Sequence, residues 1–287
     1  MSRAIILGHT GFVGQRLAAE LRGEGHEVVG HSSATLDLRQ RDTLSVLDGV
    51  ASPETTLFFS SAVTPDKAVT LDAIEANFAI AVNVAWYLET HPIRKCVYLS
   101  SDAVYPICEG PVTEETPVEP SSLYALAKYA GERVLLRIVE TKGLALVVLR
   151  PTAVYGPGDT HGSYGPNLFV RTVVRERTVR LFGDGEETRD HVYIEDLARV
   201  AARLAASDAT GVFNVATGES RAFSSIVKDL RDIVPHEFAT QSMPRKGAIT
   251  HRQFDVARLL RALPGFRFTE FRDGLRATYA AAAEGAA

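Results

Sequence analysis

Cysteine is scarce: the 287 residues hold two, Cys96 and Cys108. Two thiols make no disulfide framework, which excludes the stapled secreted class and points to a reducing compartment. Cys96 stands inside an apolar run and reads as a buried strand residue, not a reactive thiol. No apolar run is long enough to cross a membrane, and the first strand starts at once, leaving no room for a leader. A cytoplasmic protein with no membrane partner is therefore expected. Long basic runs are also missing and the net charge is −4, which argues against nucleic acid as a partner. No internal repeat is present. The one biased segment is the alanine-rich tail Ala280–Ala287, expected to fray.

What is present is ordinary for a globular chain, 46% hydrophobic and 23% charged, with length for one large α/β domain or a domain plus a smaller lobe. Short apolar runs at Ala4–Leu7, Glu27–Val29, Thr56–Phe59, Cys96–Leu99 and Leu144–Leu149 alternate with helix-length stretches at Gln15–Arg22, Ile74–Glu89 and Tyr124–Glu140. The runs suit parallel strands buried on both faces. The alternation predicts an α/β fold, a doubly wound parallel sheet. After Arg150 glycine and proline become frequent and the elements shorten, so a smaller substrate lobe is expected to interleave with the sheet. Residues 1–165 form the dinucleotide-binding domain, with the chain returning to it at about 185–216. Residues 166–184 and 217–287 form the lobe.

Two constellations carry chemistry. Gly8, Gly11 and Gly14 fall between the first strand and the first helix, where glycines let a pyrophosphate approach the amides at a helix N-terminus. A strand–helix turn that merely uses glycine is the plainer alternative. The second strand runs into His31, Ser32 and Ser33, with no acidic residue for a ribose 2′-hydroxyl. These three can donate to a 2′-phosphate, or they are an ordinary polar loop; the cofactor is NADP or NAD, leaning to NADP. Farther on, Tyr124 and Lys128 stand four apart on a predicted helix, hence on one face. A nearby ammonium favours the phenolate of a tyrosine whose ordinary pKa is about 10. Lys128 can also bind the nicotinamide ribose, and Ser101 can orient the reacting oxygen. Together they suit proton transfer at an alcohol while a dinucleotide carries the hydride. No metal site is expected.

These residues resemble the extended short-chain dehydrogenase/reductase superfamily, in its nucleotide-sugar epimerase, dehydratase and reductase branch, over nearly the whole chain. GHTGFVG is similar to its cofactor loop, which implies contacts from Thr10, Phe12 and Val13 beside the glycines. Asp37-Leu38 resembles its adenine-contacting pair. SSDAVYP resembles its S-S-x-x-V-Y segment and YALAK its Y-x-x-x-K. The resemblance thus implies Ser101, Tyr124 and Lys128 as catalytic residues of a Rossmann-type fold. It further implies cofactor contacts at Ser60, Ser61, Ala62, Asn77, Ser100 and Pro151. Substrate contacts are implied at Ser101, Asp102 and Ala103, at the pair Asn167-Leu168 on a nucleotide diphosphate, and at Phe182 beside a base. Arg189 and Arg245 are implied on the phosphates, where guanidinium groups bind bidentately. For Arg245 taken alone, a solvated surface role is the plainer reading.

Further absences narrow the chemistry that the resemblance implies. The family's dehydratases carry Asp-Glu where this chain has Asp102-Ala103, so dehydration is not expected. A cysteine used by fucose-forming relatives is missing at Ala103, which disfavours epimerisation beside the keto group. Ala153 replaces an asparagine in the V-Y-G segment. What remains is hydride transfer at a sugar carbon, C4, of a nucleotide-diphosphate sugar. The reading leans to a 4-keto reductase using NADPH. A 4-epimerase with retained NAD, a dehydrogenase of a non-nucleotide alcohol and a non-catalytic dinucleotide sensor stay open. A homodimer is expected through Ile74–Glu89 and Tyr124–Glu140, because Ala76, Phe78, Ile80, Val82, Val84 and Trp86 nearly surround the first of these helices.

Overall fold

Apolar runs of four to six residues become strands with solvent on neither face. In the computed structural model, which describes residues 2–64, 70–245 and 247–285, these are β1 (Arg3–Leu7), β3 (Thr56–Phe59), β4 (Lys95–Leu99) and β6 (Leu146–Pro151), with β2 (Glu27–His31) and β10 (Gly211–Val215) at the edges. They form one parallel sheet in the order β2-β1-β3-β4-β6-β10. Alternate residues feed two cores, as a pleat requires. Ile6, Phe58, Val97, Val147 and Leu149 pack against α1 (Phe12–Gly23) and α5 (Ile194–Ala206). Ile5, Leu7, Leu57, Phe59, Tyr98 and Val148 pack against α2 (Leu71–Thr90) and α3 (Leu123–Lys142). The fold is α/β, a Rossmann-type doubly wound sheet, as the strand–helix alternation predicts. Cys96 is fully buried within it, and burial pushes its thiol up to about 12.

Between β2 and β3 the chain makes only a 3-10 turn, Arg41–Leu47, that caps the edge with Leu44 and Leu47. The connections therefore run in opposite directions from β1, to β2 on one side and β3 on the other. A crevice opens at the carboxyl ends of the strands at such a switch point.

The remaining elements lie outside this sheet. They are β5 (Pro111–Val112), β7 (Ala153–Tyr155), α4 (Pro166–Glu176), β8 (Thr178–Phe182), β9 (Thr188–Tyr193), β11 (Ser220–Ala222), α6 (Phe223–Ile233), β12 (Ala239–Met243), β13 (Gln253–Phe254), α7 (Ala257–Ala262) and α8 (Phe271–Glu284). β9 is the hinge of this region, pairing in parallel with β7 and antiparallel with β11. Phe169, Leu181, Phe223, Ile226, Leu230 and Leu275 form a third core, which Phe12 of α1 also enters. Of the tail expected to fray, α8 takes in Ala280–Glu284, and residues 286–287 lie outside the described residues. No helix of the described residues is long and apolar enough to cross a membrane.

Candidate active site

The glycine loop joins β1 to α1. Gly8 has φ +91°, a left-handed backbone that suits glycine, and its N–H donates to the His31 carbonyl at 2.8 Å. A Cβ on Gly14 would lie 2.1 Å from the Gly8 carbonyl oxygen, so this glycine lets α1 rest on the loop. Gly11 differs. Its φ of −73° is ordinary, and a Cβ there would meet only the Gly8 oxygen, at 3.3 Å. The start of α1 has no side-chain cap. Its first amides are thus available to an anion, where the helix dipole also favours one. These residues fit a dinucleotide pyrophosphate.

Two cavities meet at this loop and share Gly8, Gly11, Phe12, Ser60 and Ala62. The first, about 490 Å³, is lined by Thr10, Ser32, Ser33, Asp37, Leu38 and Ser61. Arg39, which the sequence reading passed over, lines it too and donates to Asp37 at 2.8 Å. His31 lines neither of these two cavities. Its ring turns into the protein near His9, where burial and that neighbour hold its pKa below the ordinary value. Asn77 braces the wall instead of lining it: its amide exchanges hydrogen bonds with Val63, accepting from N at 2.8 Å and donating to O at 2.9 Å.

The second cavity, about 540 Å³, takes in Val13 and Gly14 from α1, Ser100, Ser101 and Asp102 from beyond β4, Pro151 from the end of β6, and Tyr124 and Lys128 from α3. Ser122 caps α3, its Oγ accepting from Ala125 N at 3.1 Å, and so sets where the Tyr124–Lys128 face begins. Lys128 is 3% exposed and its Nζ lies 4.9 Å from the Tyr98 ring centre. Burial lowers its pKa to about 8, against an upward push from Glu132. The Ser101 Oγ accepts from Ala103 N at 3.1 Å, which places Ala103 in support of the serine and outside the cavity.

Behind this face lies a buried network that the sequence reading missed. Glu132 accepts from Arg150 through both oxygens, at 2.9 and 2.5 Å, and from the Ser100 hydroxyl. Arg150 also donates to the Tyr105 hydroxyl at 2.7 Å, which donates to Asn214 at 2.8 Å. The available signals were the spacing of Tyr124, Lys128 and Glu132 at four-residue steps, and an arginine ending a buried strand, where a charge needs a partner. The loop after β7 was missed as well: Asp159, Thr160, His161 and Ser163 line the second cavity, and Asp159 lies 2.8 Å from His161 Nδ1.

A third cavity, about 410 Å³, adjoins the second through Asp102, Thr152 and Ala153. Tyr164, Phe182 and Phe223 give it aromatic walls, and Arg189 and Arg252 bring two guanidinium groups. Arg189 is pinned by the Thr188 and Thr250 carbonyls, both at 2.8 Å, and by the Thr250 hydroxyl at 2.6 Å. Burial and the neighbouring Arg252 hold its pKa below the ordinary arginine value. Arg245 lies outside, bound to Glu186, Glu187 and the Phe182 carbonyl. Asn167 and Leu168 line none of these three cavities; the Asn167 side chain accepts from Gly156 N at 3.0 Å.

A model of the NAD dependent epimerase/dehydratase family matches residues 4–216. The chain is 30% identical to a UDP-glucose 4-epimerase of Mycolicibacterium smegmatis, over 75% of this chain and 77% of that one. Among solved structures it is similar to the Thermus thermophilus UDP-glucose 4-epimerase in complex with NAD (TM-score 0.86, 24% identity, 98% of each chain). It is equally similar to RMD from Pseudomonas aeruginosa complexed with NADPH (TM-score 0.86, 23% identity, 99% of this chain and 100% of that one). At these identities the structural likeness is one of fold.

Two outcomes follow from the geometry. Gly11→Val is expected to abolish dinucleotide binding in calorimetric titration while the protein stays folded, since its backbone is ordinary and a Cβ there would meet one atom, the Gly8 oxygen at 3.3 Å; retained affinity would contradict this. For Lys128, the folded pKa near 8 lies below the ordinary 10.5. Between those values the unfolded chain binds more protons, so stability rises with pH there. Urea unfolding of the unliganded protein should show wild type gaining on Lys128→Met from pH 8 to about pH 10. A pH-independent difference would contradict the buried ammonium.

Proposed function

Because this chain belongs to the NAD-dependent epimerase/dehydratase family, we propose that it is a 4-epimerase of a nucleotide-diphosphate sugar that retains its NAD. One observation carries the reading: the cavity holding Ser101, Tyr124 and Lys128 adjoins the cavity holding Arg189 and Arg252, the two sharing Asp102, Thr152 and Ala153. A sugar at the shared wall of Asp102, Thr152 and Ala153 presents its C4 hydroxyl to Tyr124 while its diphosphate meets guanidinium groups.

The Tyr124 phenolate takes the hydroxyl proton, and the Lys128 ammonium beside it favours that charge. The Ser101 hydroxyl orients the same oxygen. A bound nicotinamide dinucleotide supplies the hydride acceptor. For epimerisation the keto sugar must then turn its other face to the dinucleotide. Ala153, where relatives in the resemblance carry asparagine, leaves room for that turn. The 4-keto reductase expected from the sequence becomes the second reading. It is favoured by Ser32, Ser33 and Arg39, which suit the 2′-phosphate of NADPH. We also propose a homodimer through α2 and α3, where Leu71, Val82, Trp86 and Leu126 are exposed.

Purified protein given UDP-glucose without added dinucleotide is expected to form the C4 epimer, followed by NMR. Tyr124→Phe should bind UDP-glucose normally and turn over at least about 10²-fold more slowly. No epimer from UDP sugars, with consumption of NADPH by a 4-keto sugar, would establish the reductase instead. Light scattering at micromolar concentration is expected to give twice the chain mass of 31.1 kDa; a monomeric mass would rule the dimer out.

A further inference from the structure

Resting on the reading of a retained dinucleotide, we infer that the loop after β7 forms a second wall of the dinucleotide site, with Thr160 and His161 contacting the pyrophosphate alongside the glycine loop. Among the described residues, six line both the first and the second cavity: Gly8, Gly11, Phe12, Ser60, Ala62 and Thr160. The first three belong to the glycine loop and the start of α1, and Ser60 and Ala62 follow β3. Thr160 comes from the far half of the chain. A dinucleotide that spans both cavities has its pyrophosphate at this shared waist, because the first amides of α1 are there.

The loop is built to hold its side chains in that place. Asp159 Oδ1 accepts from His161 N at 3.0 Å and lies 2.8 Å from His161 Nδ1. Burial pushes the Asp159 carboxyl up, but its bonds to His161 outweigh this and hold it below the ordinary value. The group is therefore a carboxylate at neutral pH, Nδ1 carries the proton it takes up, and the rotation of the imidazole is set. The His161 ring meets Phe12 edge-on, with 6.0 Å between ring centres. Phe12 is the first residue of α1, so His161 stands beside the uncapped helix start. Arg16 of α1 donates to the Pro157 carbonyl at 3.3 Å, and Arg171 of α4 donates to the Asp159 carbonyl at 3.4 Å. The loop is thus tied both to the helix of the glycine loop and to a helix outside the main sheet.

The charges permit an anion at the waist. None of the six shared residues is acidic. Three carboxylates line the two cavities, and each has a basic side chain against it. Asp37 takes Arg39 at 2.8 Å, Asp102 lies 3.6 Å from Arg252, and the second oxygen of Asp159 lies 3.9 Å from Arg171. Lys128 adds a further basic group to the second cavity. A pyrophosphate held by amides of one element and side chains of another leaves only when the loop lets go. Retention of the dinucleotide through turnover requires such a hold.

The test is calorimetric titration of the dinucleotide-free protein with NAD and ADP-ribose, and of the NAD-loaded protein with UDP-glucose, on wild type, Thr160→Val and His161→Phe. Release of radiolabelled NAD into an excess of unlabelled NAD is timed on the same three proteins. Each variant is expected to bind NAD and ADP-ribose roughly tenfold more weakly, the scale for one hydrogen bond to a charged group, and to release NAD faster in proportion. ADP-ribose keeps the pyrophosphate and lacks the nicotinamide, so equal losses on both ligands place the contact on the pyrophosphate. Should His161→Phe melt early because Asp159 loses its partner, Thr160→Val still decides, since Thr160 is exposed and valine keeps its shape. Wild-type affinity and release in both variants, a loss confined to NAD, or a loss confined to UDP-glucose would overturn the inference. A wild type that binds NAD but exchanges it at every turnover would overturn the retained-dinucleotide reading, while losses in the two variants would still establish the contact.

Discussion

The buried ion pair between Glu132 and Arg150 fixes the parts of this molecule that matter to its chemistry. Glu132 is 1% exposed and Arg150 4%. One belongs to α3 and the other to β6, and their hydrogen bonds reach Ser100 after β4 and, through Tyr105, Asn214 on β10. Three neighbouring strands and a helix are thus tied by one buried network, in which both Glu132 oxygens are partnered. Such a pair adds little net stability over an apolar one of the same shape. Losing one partner is another matter and costs roughly 3–5 kcal/mol. What the pair supplies is register: it sets the rotation of α3, and with it the face carrying Tyr124 and Lys128 beside Ser101.

Charge is organised outward from that network. Arg150 neutralises Glu132, so Lys128 one turn away feels burial more than it feels a carboxylate. Farther out, the Asp102–Arg252 contact lies where the cavity of Ser101, Tyr124 and Lys128 adjoins the cavity of the two guanidinium groups. The dinucleotide side is built on backbone instead. Its glycine loop and uncapped helix start offer amides to a pyrophosphate. Arg39 is the one arginine lining the first cavity, and it is held by Asp37. A molecule placed across these cavities would be gripped by amides at one end and by arginines at the other, with the Ser101–Tyr124–Lys128 set between them.

Much of this was legible in the sequence because it is local. Apolar runs buried on both faces leave a plain record, and so do a glycine loop between strand and helix and a Tyr–Lys pair one helical turn apart. What stayed hidden depends on distant contacts. The return of the chain at about 185–216 was expected, but its place at the sheet edge was not: pairing with β6 makes Phe213 and Val215 of β10 part of the sheet core. Arg245 and Arg252 share an irregular segment with no period to say which faces inward; the acidic pair at Glu186 and Glu187 decides it from another element. The direction of His31 was hidden for a related reason. It is the last residue of β2 and turns inward beside His9, while Ser32 and Ser33, past the strand, reach the cavity. Asn77 and Ala103 were named by resemblance; the structure shows them bonded to Val63 and to the Ser101 hydroxyl.

The central claim is that hydride leaves and returns at C4 of a sugar held between Tyr124 and a dinucleotide. Incubation of the purified protein with UDP-glucose deuterated at C4, in ordinary water, tests it most directly. The account predicts that the epimerised product keeps its deuterium at C4, as transfer through an enclosed dinucleotide requires. Product that has exchanged the label for solvent hydrogen would mean proton abstraction at carbon, and the assignment of Ser101, Tyr124 and Lys128 to hydride chemistry would be contradicted.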